Sequence, residues 1–180
     1  MIINSVCVYC GSRFGASKSY ESSAVSLGQG LAKRGLRLVY GAGDVGLMGT
    51  VARACMEAGG EVFGVIPEHL VKREVGKSDL TTYVVTETMH ERKKVMLYNA
   101  DAVVVLPGGM GSLDELFEAI TWRQLGLHQK PILILNIDGY WDPLKVLIDH
   151  MIKEEFAGED VHAALTWVES VDAALAVLSN

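Results

Sequence analysis

The feature that most constrains this chain is an alternation of short, nearly continuous apolar runs with longer stretches of helical period. The runs are Ser5 to Tyr9, Leu36 to Tyr40, Glu61 to Ile66, Ala102 to Leu106 and Ile132 to Leu135, with a less regular one at Tyr83 to Thr86. Between and after them, helical spacing covers Ser19 to Arg34, Leu47 to Ala58, Met89 to Asn99, Ser112 to Gln124, Pro143 to Glu155 and Val171 to Leu178. Runs that are β-branched and apolar on both faces suit strands covered by helices on either side. Their order is that of repeated βα units, which predicts an α/β fold: a Rossmann-like open, mostly parallel sheet with helices on both faces. Gly35, Gly59 and Gly126 stand just past three of the helical stretches, where a left-handed residue closes a helix.

No linker, repeat or low-complexity tract divides the 180 residues, so residues 1–180 are expected to form one domain. A hydrophobic share of 49% supplies the core. A formal net charge of −6 gives no attraction to a phosphate backbone, which argues against nucleic acid as a partner. No apolar run reaches the length of a membrane span and no signal-like segment opens the chain, so the expectation is a cytoplasmic protein with no membrane partner. Three cysteines do not make a disulfide framework. Cys7 and Cys10 form a C-x-x-C, but no second Cys/His pair at metal spacing follows, and packing is the favoured reading over a redox or metal pair.

Three glycine-rich segments each follow a strand and precede a helix: Gly11-Ser12 with Gly15, Gly41 to Gly49, and Pro107 to Gly111. In an open parallel sheet such loops gather at the carboxyl ends of the strands, beside helix N-termini that attract anions. A nucleotide is the ligand class this predicts. Gly41-Ala42-Gly43-Asp44-Val45-Gly46 also spells G-x-G-x-x-G, yet the strand that follows ends without the acidic residue that would hold an NAD ribose, Glu68 lying beyond Pro67. NAD is therefore the weaker reading.

Two further segments carry reactive groups. In Pro107-Gly108-Gly109-Met110-Gly111-Ser112-Leu113-Asp114-Glu115 the glycines allow close backbone approach, and Ser112 opens a helix with Glu115 one turn on. Ser112-x-x-Glu115 is equally the pattern of a capping box, and spacing alone leaves capping and catalysis level. His90-Glu91-Arg92-Lys93-Lys94 opens another helix; it is either a solvated face or a source of cations for phosphate or base.

Together, Met89-His90-x-Arg92-Lys93 and Pro107-Gly108-Gly109-x-Gly111-Ser112-x-x-Glu115 resemble the paired motifs of the Lonely Guy family, the cytokinin riboside 5′-monophosphate phosphoribohydrolases. The resemblance extends through Cys10-Gly11-Ser12, Tyr40-Gly41-Ala42-Gly43, Gly46-Leu47-Met48-Gly49 and Ile120-Thr121-Trp122. It implies a homodimer that cleaves a purine nucleoside monophosphate into base and ribose 5-phosphate without a redox cofactor. It further implies that Arg92 and Glu115 are the catalytic pair. Glu74, Lys93, Gly108, Gly109, Met110, Gly111, Ser112 and Thr121 would contribute to the nucleotide site, with Gly11, Ser12, Gly41, Gly43 and Met89 from the other matching segments. Ser112 replaces the usual threonine and Ala42 the middle glycine of a Gly-Gly-Gly turn, neither change removing a reacting group. Some relatives carry the label lysine decarboxylase, but nothing in the sequence resembles a pyridoxal-phosphate site.

Cleaving a ribosyl C–N bond builds positive charge on the sugar and negative charge on the leaving base. Glu115 suits the first, by stabilising the cation or orienting water. Arg92 suits phosphate or the leaving base, because a guanidinium does not give up its proton at ordinary pH. The alternative is a nonhydrolytic nucleotide-binding or carrier protein of the same fold.

Overall fold

The computed structural model describes residues 2–71 and 79–179. Seven parallel strands, β1 (Ser5–Tyr9), β2 (Arg37–Tyr40), β3 (Val62–Pro67), β4 (Thr82–Thr86), β5 (Ala102–Val105), β6 (Ile132–Leu135) and β7 (Leu165–Val168), form one sheet in the order β4-β3-β2-β1-β5-β6-β7. The helices are α1 (Lys18–Lys33), α2 (Gly46–Glu57), α3 (Met89–Tyr98), α4 (Met110–Gln124), α5 (Asp142–Lys153), α6 (Asp160–Ala164) and α7 (Val171–Leu178). The Rossmann-like expectation therefore holds.

Alternate residues of each strand feed opposite layers, as the two-residue strand period requires. On β1, Val6 and Val8 pack with Leu27 of α1, Val51 of α2 and Leu175 of α7. Cys7 and Tyr9 face the other way, toward Met96 of α3, Leu116 of α4 and Ile148 of α5. Because the chain winds outward from β1 in both directions, the strand order reverses between β1 and β5, and the loops leaving these two strands part to form a crevice.

Helix limits agree with the sequence reading to within about two residues, and Gly35, Gly59 and Gly126 all adopt positive φ. Two elements had no place in that reading, β7 and the short α6. β7 is an edge strand with Thr166 exposed, so its four residues lack the continuous apolar run of an inner strand.

One local alternative is corrected. Ser112 is the third residue of α4, whose N-cap is Gly109 with no side-chain cap, so Ser112 and Glu115 do not form a capping box. That motif occurs instead at α3, where Thr88 Oγ1 accepts from the Glu91 N–H at 3.1 Å and Glu91 Oε2 accepts from the Thr88 N–H at 3.2 Å. Glu91 thus caps a helix and needs no part in the chemistry.

Candidate active site

A cleft of about 730 Å³ opens at the crevice between β1 and β5, a size suited to a nucleotide. Its floor is built by interlocked loops. The Gly11 N–H donates to the Pro107 carbonyl at 3.0 Å, tying the loop after β1 to the loop after β5. The Gly11 carbonyl accepts from the N–H groups of Leu47 at 3.0 Å and Met48 at 3.3 Å, so the start of α2 is already occupied by the protein's own backbone. The start of α4 has no side-chain cap, and the first-turn N–H groups of Met110, Gly111 and Ser112 lie where a helix has no acceptor of its own. Of the two helix starts, α4 is thus the one suited to an anion.

The charge run at the start of α3 divides sharply. His90, Glu91 and Lys94 are exposed, whereas Arg92 and Lys93 are buried. Arg92 lines the cleft, its Nε donating to the Val65 carbonyl at 3.1 Å and its Nη2 to the Gly41 carbonyl at 2.7 Å. These bonds, from the ends of β3 and β2, fix the guanidinium plane, so the cation is oriented before any ligand arrives. Lys93 turns away from the cleft lining toward α4, with Nζ 3.0 Å from both Asp114 Oδ2 and Glu118 Oε2. Burial works against its charge, but the hydrogen bonds to these carboxylates outweigh that and raise its pKa above the usual lysine value.

Glu115 lies half-buried on the cleft wall. Burial, reinforced by the nearby Glu115 charge, pushes the Cys10 thiol far up. Cys7 is raised by the same two causes, and both are free, buried thiols. Burial of both thiols accords with the packing reading of the C-x-x-C, Cys10 also lying at the edge of the cleft.

The cleft brings together Gly11, Ser12, Met89, Arg92, the Gly108–Ser112 loop and Glu115. Gly41 and Gly43 are buried and lie outside the lining, as does exposed Thr121 on α4. Glu74 lies outside the described residues. Several lining residues had escaped the sequence reading, among them Arg13, Phe14, Tyr20, Leu70 and Tyr140. Arg13 and Phe14 directly follow Ser12 and carried a positional signal; Tyr20 and Tyr140 sit in no motif and reach the cleft only through folding.

The chain matches the family described as possible lysine decarboxylase over residues 48–178. It is 46% identical over 151 residues to the Arabidopsis thaliana cytokinin riboside 5′-monophosphate phosphoribohydrolase LOG7, covering 84% of this chain and 70% of that protein. This chain belongs to the Lonely Guy family. The rice (Oryza sativa subsp. japonica) cytokinin riboside 5′-monophosphate phosphoribohydrolase LOG is 49% identical over 155 residues, which are 86% of this chain and 64% of the rice protein. The chain thus spans less than two thirds of that relative's length. Among solved structures, the molybdenum cofactor binding protein of Rippkaea orientalis superposes with a TM-score of 0.72, 22% identity and coverage of 99% of this chain and 96% of that one. The molybdenum cofactor carrier protein of Chlamydomonas reinhardtii gives 0.71 at 19% identity, covering 97% and 94%. Those likenesses establish a shared fold.

The words lysine decarboxylase would call for a pyridoxal-phosphate Schiff base. In this Lonely Guy chain the described cleft lining holds no lysine, and Lys93 is committed to Asp114 and Glu118, so the described residues do not fit that group. Among the described residues no helix is long and apolar enough to cross a membrane.

Proposed function

We propose that the chain hydrolyses the N-glycosidic bond of a purine nucleoside 5′-monophosphate, releasing the free base and ribose 5-phosphate. One observation carries this reading: the uncapped start of α4, the pre-oriented Arg92 and the Glu115 carboxylate share one cleft at the sheet's switch point. The phosphate sits at the first turn of α4, where Gly109 and Gly111 let it approach the backbone. Glu115, one turn further along the same helix, faces the sugar and stabilises its developing positive charge or orients the attacking water. Arg92 meets the phosphate or the leaving base as a fixed cation. Phe14, Leu47, Met48 and Leu70 give the cleft an apolar wall that suits adenine, with or without an apolar group on N6.

The same reading takes the protein to be a cytoplasmic homodimer that needs no redox cofactor. Three buried free thiols accord with a reducing compartment. For the dimer, Leu125, Leu127 and Tyr98 are exposed apolar groups on or beside α3 and α4.

Incubation with AMP and with N6-isopentenyladenosine monophosphate, followed by chromatography for free base, tests the activity. Base release from a nucleotide with almost none from the matching nucleoside is the expected result, because the phosphate anchors the ribose. Tight nucleotide binding with no base release would favour the carrier alternative.

A further inference from the structure

The segment 136–141, between β6 and α5, carries no family motif, yet it closes one wall of the cleft through Tyr140. The segment is tied down along its length. Asn136 Oδ1 accepts from the Trp141 N–H at 2.7 Å, and Asn136 Nδ2 donates to Asp142 Oδ1 at 2.8 Å. Asp138, in the left-handed region at φ 53°, accepts hydrogen bonds from Ser17 Oγ and Ser19 Oγ at the start of α1. The Tyr140 ring lies edge-on to Tyr20, with centroids 5.5 Å apart, and to the buried Trp141 at 4.7 Å. So held, the Tyr140 hydroxyl donates to the Gly108 carbonyl.

We infer that Tyr140 is a positioning residue for the substrate's 5′-phosphate, an inference that rests on the hydrolytic reading above. The Gly108-Gly109 pair has no Cβ to limit its backbone, so it reaches many conformations unless something outside it chooses one. A trans peptide is planar, with its C=O and the following N–H on opposite sides. Fixing the Pro107 carbonyl through the Gly11 N–H therefore directs the Gly108 N–H, and fixing the Gly108 carbonyl through Tyr140 directs the Gly109 N–H. Gly109 is the N-cap of α4, so the second bond sets how the chain enters the helix start that receives the phosphate. A backbone anion seat gains affinity when its geometry is set before binding.

Tyr140→Phe keeps the ring contacts and removes only the bond to Gly108. The expected result is a Kd for ribose 5-phosphate, read by calorimetry, raised about three- to tenfold, the worth of one hydrogen bond. KM for the nucleotide rises by the same factor while kcat stays within about twofold, because the interaction serves ground and transition states alike. Residual turnover of the nucleoside, which lacks the phosphate, is unchanged. A variant with wild-type affinity for ribose 5-phosphate, or with equal losses for nucleoside and nucleotide, overturns the inference; so does a wild-type protein that does not bind ribose 5-phosphate. If the wild-type protein releases no base from any nucleotide, the hydrolytic reading fails on its own, and the ribose 5-phosphate titration of the two proteins still decides the role of Tyr140.

Discussion

The second and third glycine loops look alike in sequence and differ in what most of their glycines face, although Gly108 of the third loop is confined too, an added Cβ there lying 2.0 Å from Ser112 Oγ. At Gly41 an added Cβ would lie 2.0 Å from Arg92 Nη2, and at Gly46, where φ is +59°, it would lie 2.3 Å from the backbone of Ser12 and Arg13. There the protein itself excludes a side chain. At Gly109 and Gly111 an added Cβ meets nothing within 4 Å, and neither residue has positive φ. Glycine in a helix costs up to about 1 kcal/mol relative to alanine, less in a first turn, so Gly111 is a glycine that neither packing nor backbone geometry requires. A ligand that approaches the backbone explains it. Under the proposed function, the loop that spells a dinucleotide fingerprint seats Arg92, and the loop without that fingerprint receives the ligand.

The largest test of that contrast is Glu115→Gln, beyond the third loop. Glutamine keeps the size and a hydrogen-bonding group, so stability should change by less than about 1 kcal/mol, within the usual range for one substitution. Loss of a preorganised charge should lower kcat by at least about a hundredfold with nucleotide binding retained. A variant that melts normally and cleaves at the wild-type rate removes Glu115 from the chemistry.

Gly46→Ala should act oppositely, destabilising the fold by more than about 2 kcal/mol through left-handed strain and a backbone collision. A shift in the urea midpoint reads it, and an unshifted midpoint would mean that the second loop has room to spare. Gly111→Ala is the finest contrast: stability should rise by about 0.5 to 1 kcal/mol while KM for the nucleotide rises about tenfold. Raised stability with an unchanged KM would break the comparison.

The smallest effect concerns how α4 is anchored at its other end. His128 Nδ1 accepts from the Lys130 N–H at 3.2 Å, so Nε2, 2.9 Å from the Ala119 carbonyl, must carry the proton and donate. Burial, with the Lys130 and Arg123 charges, holds its pKa below the ordinary value of 6.5, against the pull of the Ala119 carbonyl. A lowered pKa means that the contribution to stability is complete above that value and is lost as pH falls through the folded one. The melting temperature should therefore fall on acidification below pH 6.5, and fall less in His128→Gln. Equal pH dependence in the two proteins would show that α4 does not rely on this contact.

Much of this was legible along the chain because it depends on local pattern. Continuous β-branched runs specify inner strands, periodic apolar positions specify helices, and the glycines at 35, 59 and 126 mark where three of those helices stop. Six strands and six helices emerge from those signals, whereas β7 does not, since an edge strand with an exposed Thr166 lacks the pattern. The motif residues on α3 and α4 were likewise visible as a set. Their division of labour was not: adjacent Arg92 and Lys93 read alike as cations, and Ser112-x-x-Glu115 read equally as a cap or as chemistry.

What the sequence determined alone is the sheet of βα units and the chemistry available at its carboxyl edge, because both follow from periodicity and residue type. Only the tertiary structure decided which groups face the cleft. A helix turns each successive side chain by about 100°, so Arg92 reaches the cleft and the carbonyls of Val65 and Gly41 while Lys93 turns to Asp114 and Glu118. Tyr140 and Gly108, 32 residues apart, meet only because the sheet places the loops after β5 and β6 side by side. Contacts between distant residues are set by packing, and no local pattern records them.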